Sequence, residues 1–263
     1  MTLKKSLFNF ISIIAICFSA VSLSACKPKE NATEGLVYSL NEDGTYNVKD
    51  FKPVDKFAYK IEIPSIYKKK KVTSIGNECF NGAYNSNKSR ISSIVLPSTI
   101  TSIGDKAFYK TSLEELTIPD SVKSIGVSAF AETPIKKLVI GDGLETIQGF
   151  EECNELKYVL IGKNVKTIET YAFYHCYSIE SLELPEGLTT IGSAAFRRCS
   201  QLENIVIPSS VTSISHNAFD ECKTLRYVFY TGTKNQWEDL IQNHTLHSND
   251  PLLEATVIYN YKI

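Results

Sequence analysis

One pattern of apolar and polar positions recurs along most of this 263-residue chain. Its clearest copy reads Ile191-Gly192-x-x-Ala195-Phe196-x-x-Cys199-x-x-Leu202-x-x-Ile205-x-Ile207-Pro208. Most copies lie 20 to 23 residues apart, the first step is 28 residues, and their phenylalanines are Phe80, Phe108, Phe130, Phe150, Phe173, Phe196 and Phe219. Because so short a unit buries its apolar face only against its neighbours, the pattern predicts a solenoid with one continuous core.

Within each repeat, the spacing predicts one β-strand of the form Leu-x-x-Leu-x-Ile. Alternation along such a strand directs its apolar positions inward and the residues between them outward. A Pro or Gly then turns the chain, and a second short apolar pair follows in most repeats, for example Val165 and Ile168. The Ala-Phe stretch is expected to close the coil with a tight or short helical turn whose Phe fills the interior.

The outward strand positions form two columns along the predicted array. One column reads Ser93, Glu115, Lys137, Tyr158, Ser181, Asn204 and Tyr227, and the other reads Val95, Thr117, Val139, Leu160, Glu183, Val206 and Phe229. An exposed apolar column with aromatic anchors is typical of a binding surface, although β-branched residues also simply suit a strand. Both interpretations stay open. The candidate ligand-binding residues are Lys137, Tyr158, Leu160, Glu183, Asn204, Val206, Tyr227 and Phe229.

The first residues follow a different pattern. Lys4 and Lys5 precede an apolar run, residues 7–21, that is short for a membrane-spanning helix and ends near Leu23-Ser24-Ala25-Cys26. This arrangement predicts a secretion signal. The last four residues resemble the lipobox of bacterial lipoproteins, which implies diacylglyceryl attachment to Cys26. The alternative is an incidental Cys beside an ordinary cleavage site. We expect an extracytoplasmic protein anchored by lipid to a bacterial membrane, at the cell surface, since two acyl chains give stable anchoring.

The remaining chain divides around the repeats. We predict a signal peptide over 1–25, a lipidated tether over 26–34, a capping hairpin over 35–56, repeats over 57–230 and a C-terminal cap over 231–263. The hairpin rests on Asp43-Gly44 between apolar segments, because Gly accepts the positive φ of tight turns. The C-terminal cap rests on a helix start at Thr233 with Gln236 three residues later, and on a last strand over 255–261.

These residues resemble the BspA-like leucine-rich repeat family of bacterial surface proteins. The resemblance covers about residues 35–263 and is carried by the Ile-Gly-x-x-Ala-Phe-x-x-Cys repeat, the entry hairpin and the Trp237 to Tyr261 exit. It implies a curved, right-handed leucine-rich repeat solenoid that binds an extracellular protein or cell-envelope polymer as an adhesin does. Two repeats depart from the pattern: the Phe150 repeat is two residues short, and residues 81–90 insert after Phe80. We expect both to deform the curvature locally without breaking the array.

Charge and cysteine spacing exclude several other classes. The chain has 28 basic and 29 acidic residues, so we expect no nucleic-acid partner, which would require a strongly basic surface. Lys68–Lys71 is predicted to be a solvated hairpin tip, with contact to anionic lipid or cell-wall polymer as the alternative.

Cys153, Cys176, Cys199 and Cys222 each follow a Phe by three residues. We predict buried thiols, because close Cys pairs for a metal are missing and parallel side chains disfavour disulfides.

No arrangement of residues predicts catalysis. His244-x-x-His247 with Asp250 has the composition of a metal site but lies in a polar, Ser/Asn-rich loop, and the other histidines form no pair. We therefore predict a binding module without enzyme activity, cofactor or metal. A structural envelope scaffold without a host ligand is the first alternative, and an envelope hydrolase is the second.

Overall fold

The computed structural model describes residues 32–54, 59–242 and 249–262. They form a leucine-rich repeat solenoid of about eight turns. Each turn gives one strand to a first parallel ladder, one short strand to a second ladder, and a turn that carries the repeated Phe. The solenoid predicted from the repeat pattern is therefore confirmed.

The first ladder is built from the predicted Leu-x-x-Leu-x-Ile segments. Its strands are β3 (Tyr59–Glu62), β6 (Ile91–Val95), β8 (Glu115–Ile118), β10 (Lys137–Ile140), β12 (Tyr158–Leu160), β14 (Ser181–Glu183), β16 (Asn204–Ile207) and β18 (Tyr227–Tyr230). Inward residues pair with inward residues, as Leu138 does with Leu116 on one side and Val159 on the other. Since a one-residue slip would turn every apolar side chain outward, burial of this face fixes the register.

The second ladder is made of shorter strands, most of which place one Ile in the core. They are β5 (Lys70–Ile75), β7 (Ser102–Ile103), β9 (Ser124–Ile125), β11 (Thr146–Ile147), β13 (Thr167–Ile168), β15 (Thr190–Ile191) and β17 (Ser213–Ile214). Parallel pairing joins Ile75, Ile103 and Ile125 in one sheet, and Ile147, Ile168, Ile191 and Ile214 in another. The two ladders enclose one continuous core of buried apolar side chains.

The seven phenylalanines fill that core as one stack. All are fully buried, and neighbouring rings lie 4.9–5.8 Å apart between centroids with nearly parallel planes. The backbone makes this possible through left-handed residues two positions before and two positions after most of the phenylalanines, such as Ala194 (φ 52°) and Arg198 (φ 63°). The predicted closing turn is thus a tight turn in these repeats.

The short Phe150 repeat keeps its place in the stack. Gly149 has a φ of 89° and lies directly before the Phe, where most other repeats use Ala. A side chain at this φ is strained, so the glycine absorbs the deletion. Phe150 remains 5.3 Å from Phe130 and 5.8 Å from Phe173 between ring centroids, so the ring stack is not broken by the short repeat. The second ladder changes sheet here, between β9 and β11, and the expected change in curvature stays a prediction.

The predicted thiol ladder is confirmed. Cys79, Cys153, Cys176, Cys199 and Cys222 are all free and buried. The Sγ atoms of the last four each donate a hydrogen bond to the carbonyl of the Phe one repeat earlier, at 3.1–3.4 Å. Thr111 and Thr133 occupy the same position in earlier repeats and donate to the Phe of their own repeat. The position therefore selects small donors that satisfy a buried carbonyl.

The N-terminal end carries the predicted hairpin. Strands β1 (Leu36–Leu40) and β2 (Tyr46–Phe51) are antiparallel, and Gly44 has a φ of 80° in the turn. β2 pairs with β5 in parallel, and the Phe51 ring lies 5.6 Å from that of Phe80. The hairpin therefore extends both a ladder and the aromatic stack.

A second hairpin joins β4 (Ile66–Tyr67) to β5, with Lys68 and Lys69 in left-handed conformation at its tip. All four lysines of the tip are exposed, which confirms a solvated tip. Its contact with lipid or polymer stays a prediction.

The insertion after Phe80 ends in a short 3-10 helix, Lys88–Arg90. Lys88 is buried there, and its Nζ lies 2.6 Å from Asp50 Oδ1 and 2.7 Å from the Cys79 carbonyl oxygen. Its carboxylate partner comes from β2 of the hairpin. The sequence predicted the insertion but not this ion pair, because its two residues lie 38 positions apart.

The C-terminal end combines helices and a strand. Helix α1 (Lys234–Gln242) begins at the predicted capping box, in which Thr233 and Gln236 exchange hydrogen bonds. Helix α2 (Asp250–Glu254) and strand β19 (Thr256–Ile258) follow, and β19 adds to β18 in parallel. The predicted last strand was too long: regular pairing ends at Ile258, and Asn260 has a φ of 53°. The Asn260 and Tyr261 N–H groups then donate to the Gly232 and Tyr230 carbonyls.

Candidate binding site

The two predicted outward columns exist in the observed register. Lys137 pairs with Tyr158, and Val139 with Leu160, between β10 and β12. Further along, Glu183 pairs with Val206, which pairs in turn with Phe229. The candidate residues are therefore neighbours on one side of the solenoid.

The middle of this side exposes apolar groups. Tyr158 is 42% and Leu160 is 40% exposed. Lys137 and Val139 beside them are half-buried, and Glu183 on the next strand is exposed. These five residues, Lys137, Val139, Tyr158, Leu160 and Glu183, are called the strand-face patch below. It combines an aromatic ring, aliphatic groups and one charge of each sign.

The same columns are covered at the C-terminal end, so one expectation was wrong. Val206 and Phe229 are each only 6% exposed. The Tyr261 ring lies 5.0 Å from the Phe229 ring between centroids, and the Tyr261 N–H donates to the Tyr230 carbonyl. The terminal segment thus covers Phe229 on the strand side, and neither Val206 nor Phe229 is available at the surface. An Asn between two tyrosines directly after a strand is the sequence signal for this turn.

Asn204 and Tyr227 lie between the open and covered parts. Both are half-buried. The Tyr227 ring lies 6.3 Å from the Phe229 ring between centroids, so this tyrosine borders the covered region. They remain candidates at the edge of the strand-face patch rather than at its centre.

The sheet changes at the strand-face patch. β8, β10 and β12 form one three-stranded sheet, while β14, β16, β18 and β19 form the next. Tyr158 and Leu160 therefore lie on the last strand of the first sheet and Glu183 on the first strand of the second. Partial desolvation raises the pKa of the Glu183 carboxyl, and the charge of Glu186 adds to the shift.

Several predicted features fall outside the described residues. Cys26, with the predicted signal peptide, is among them, and so are His244 and His247. Asp250 is described and begins α2. Across 32–54, 59–242 and 249–262, no group of three or more His, Cys, Asp or Glu side chains is placed to hold a metal ion. None of the helices in those ranges has the length and apolar character needed to cross a membrane.

A second cluster of exposed side chains, not predicted from the sequence, lies on the turn that carries Phe173. Tyr171 and Tyr177 are 51% and 37% exposed, and Tyr174 and His175 lie half-buried between them. These four residues are called the tyrosine platform below. The signal was available: reading the positions at fixed offsets from each Phe shows that only the Phe173 repeat places three tyrosines and a histidine there.

Comparison with known proteins assigns the class. Residues 53–149 and 148–245 match the BspA type leucine rich repeat region, in six copies. The fold is that of a leucine-rich repeat protein, and the chain belongs to the BspA-type family within that class. No curated protein sequence matches this chain.

Solved structures agree with the fold. A leucine-rich repeat protein from Eubacterium ventriosum shares 26% identity over 70% of this chain and 49% of its own, with a TM-score of 0.59. A leucine-rich repeat protein from Bacteroides ovatus shares 24% identity over 77% of this chain and 71% of its own, with a TM-score of 0.50. A leucine-rich repeat protein of T. pallidum shares 19% identity over 84% of this chain and all of its own, with a TM-score of 0.54.

Proposed function

We propose that this chain is a lipid-anchored cell-surface protein that binds an extracellular protein or a cell-envelope polymer through the strand-face patch. The observation that carries the proposal is the exposure of Tyr158 and Leu160, two positions apart on the same side of strand β12. Adjacent exposed aromatic and aliphatic groups on a soluble surface are typical of a contact site. Charged groups of both signs at its rim, Lys137 and Glu183, suit a protein partner.

The position of the entry segment determines which end of the solenoid such an anchor would hold. The Thr33 N–H donates to the Glu62 carbonyl, and its Oγ1 accepts from the Glu62 N–H at 2.7 Å. Thr33 therefore ties the start of the folded body to β3. Cys26 lies seven residues earlier, a length that spans at most ~25 Å. A lipid on Cys26 would hold the first solenoid turn close to the membrane and leave the strand-face patch several turns away.

The test uses the chain without residues 1–26, which retains every described residue. Its binding to immobilised fibronectin, laminin and collagen, to intact bacterial cells and to purified peptidoglycan is measured by surface plasmon resonance or cell pull-down. We expect a saturable signal to at least one of these, lost when Tyr158 and Leu160 are both changed to Ser. A variant with Tyr84→Ser and Val127→Ser is the matched control, since both residues are exposed on other parts of the solenoid.

Two outcomes oppose the proposal. Binding only to the producer's own envelope, unaffected by the Tyr158/Leu160 change, would assign the protein to the scaffold class. Turnover of an envelope polymer in a hydrolase screen would assign it to the enzymes. Palmitate labelling of the full chain, lost on Cys26→Ala, tests the anchor separately.

A further inference from the structure

We infer that the tyrosine platform, Tyr171, Tyr174, His175 and Tyr177, is a second binding surface, and that it takes a neutral oligosaccharide. It lies on the closing turns of the solenoid, whereas the strand-face patch lies on the first ladder. The inference therefore does not depend on the function proposed for that patch.

Stacking of the repeats brings the surface together. The Phe173 turn supplies the four ring-bearing residues, and the next two turns supply Arg197 and Arg198, then Asp220 and Glu221, at equivalent positions. Each turn is held to the next by backbone hydrogen bonds, such as His175 N–H to the Arg197 carbonyl at 2.9 Å. An aromatic row is thus followed by a basic row and an acidic row at a fixed spacing.

The rings hold one another in place before any ligand arrives. Tyr174 stacks on His175 with centroids 4.0 Å apart, and Tyr171 meets Tyr174 edge-on at 5.4 Å. The Tyr177 hydroxyl lies 2.9 Å from His175 Nδ1. Such a surface loses little conformational entropy on binding, because its side chains are already ordered.

Arg198 fixes the protonation of the imidazole. Its Nη1 lies 2.8 Å from His175 Nε2. A guanidinium nitrogen only donates, so Nε2 accepts and the proton of the neutral ring is on Nδ1, which donates to the Tyr177 hydroxyl. The hydroxyl proton of Tyr177 is then directed to another acceptor, which a ligand oxygen can provide.

The charges beside the rings are already paired. Arg198 Nε lies 2.8 Å from Glu221 Oε1, and Arg197 Nε lies 2.9 Å from Asp220 Oδ2. Both cations are thus already paired with acids, and Glu152 beside His175 adds a further negative charge, so the platform is poorly suited to an anionic ligand. The other N–H groups and oxygens of these two arginines and two acids can still donate and accept hydrogen bonds, which is what sugar hydroxyls require.

The faces of the tyrosine rings suit the C–H groups of a sugar. The negative face of a tyrosine ring attracts positively polarised C–H groups, which line one face of a pyranose. A peptide added as a strand needs an open backbone edge, but the turn here is paired: the Tyr171 N–H donates to the Ser193 carbonyl at 3.0 Å. Aromatic faces, paired charges and a closed backbone together favour a glycan over a peptide.

The test is affinity electrophoresis of the chain without residues 1–26 in native gels that contain dextran, laminarin or galactomannan, with polygalacturonate as the anionic counterpart. We expect retardation by a neutral glycan and at least a tenfold weaker affinity when Tyr171 and Tyr177 are both changed to Ala. Tyr84→Ala is the matched control, because Tyr84 follows Phe80 as Tyr177 follows Phe173 and is 81% exposed. Circular dichroism verifies that each variant is folded.

The outcomes separate the two surfaces. The Tyr158/Leu160 double Ser variant should keep its glycan affinity while losing the partner of the strand-face patch. Retardation by none of the neutral glycans, retardation by polygalacturonate alone, or an unchanged affinity of the Tyr171/Tyr177 variant would each overturn the inference.

Discussion

Asn249 ends the solenoid by accepting a hydrogen bond from the Phe219 N–H, at 2.7 Å to its Oδ1. In earlier turns, the N–H of the core Phe donates to a backbone carbonyl of the next turn, as Phe196 does to Ala218 at 2.8 Å. Phe219 belongs to the last repeat, and a side-chain amide takes the place of that carbonyl. Asn249 Nδ2 also donates to the Ser215 carbonyl at 3.0 Å, so one fully buried residue satisfies two backbone groups.

Asn249→Ala is therefore expected to lower the free energy of unfolding. A buried backbone group left without a partner costs about 1–3 kcal/mol. This change orphans the Phe219 N–H, whereas the Ser215 carbonyl keeps the Ala218 N–H as a donor. Chemical denaturation monitored by the fluorescence of Trp237, which lies in the same cap, measures the loss. Asn154→Ala, at an exposed position, is the control and should change little. Equal stability of the two variants would show that the cap does not depend on this amide.

Phe173→Ala removes a ring from the centre of the stack. We expect a loss of roughly 3–5 kcal/mol, because the cavity lies between two rings fixed by their own turns and is unable to collapse. Thermal and urea unfolding measure it, with exposed Lys157→Ala as the control. A loss no greater than that of the control would contradict the register of the whole array.

The thiols are expected to react only after unfolding. Burial raises the pKa of Cys153 and Cys222 to about 12, so almost no reactive thiolate forms at mildly alkaline pH. Titration with a thiol-reactive disulfide should find none of the five thiols in the folded chain without residues 1–26, and all five in concentrated guanidinium chloride. Fewer than five in denaturant would reveal a disulfide.

His175 should make stability depend on pH. Burial lowers the pKa of its imidazole from 6.5, and the charge of Arg198 lowers it further. The unfolded chain then binds the proton more readily, so stability is full above pH 6.5 and falls as the pH drops towards the lower folded pKa. The groups around the ring are Tyr174, Tyr177, Arg197, Arg198, Glu152 and Glu221.

His175→Gln keeps a hydrogen-bonding side chain but does not titrate, so its stability should fall less steeply below pH 6.5. Urea midpoints of both proteins across this window measure the slopes. Parallel slopes would mean that the contact with Arg198 does not control the protonation of His175.

The repeat made the fold predictable, because spacing alone determines which residues face inward. Phe173, the strand columns and the thiol positions all follow from that spacing. The spacing did not predict that Tyr261 covers Phe229, because this contact depends on a left-handed Asn260 and joins residues 32 positions apart. Asn249 was equally hidden, because an Asn in a polar loop carries no sign that it completes a distant backbone ladder.

If the strand-face patch is the binding surface, removing its aromatic side chain should weaken binding, whereas removing an exposed tyrosine elsewhere should not. The most direct measurement is the dissociation constant of the chain without residues 1–26 for whichever matrix protein or envelope polymer it retains, compared with that of Tyr158→Ala. Removing a central aromatic anchor typically costs more than about 1 kcal/mol, or at least fivefold in affinity, whereas Tyr84→Ala should leave it unchanged. Equal affinities of all three proteins would show that the strand side of this solenoid is not its binding surface.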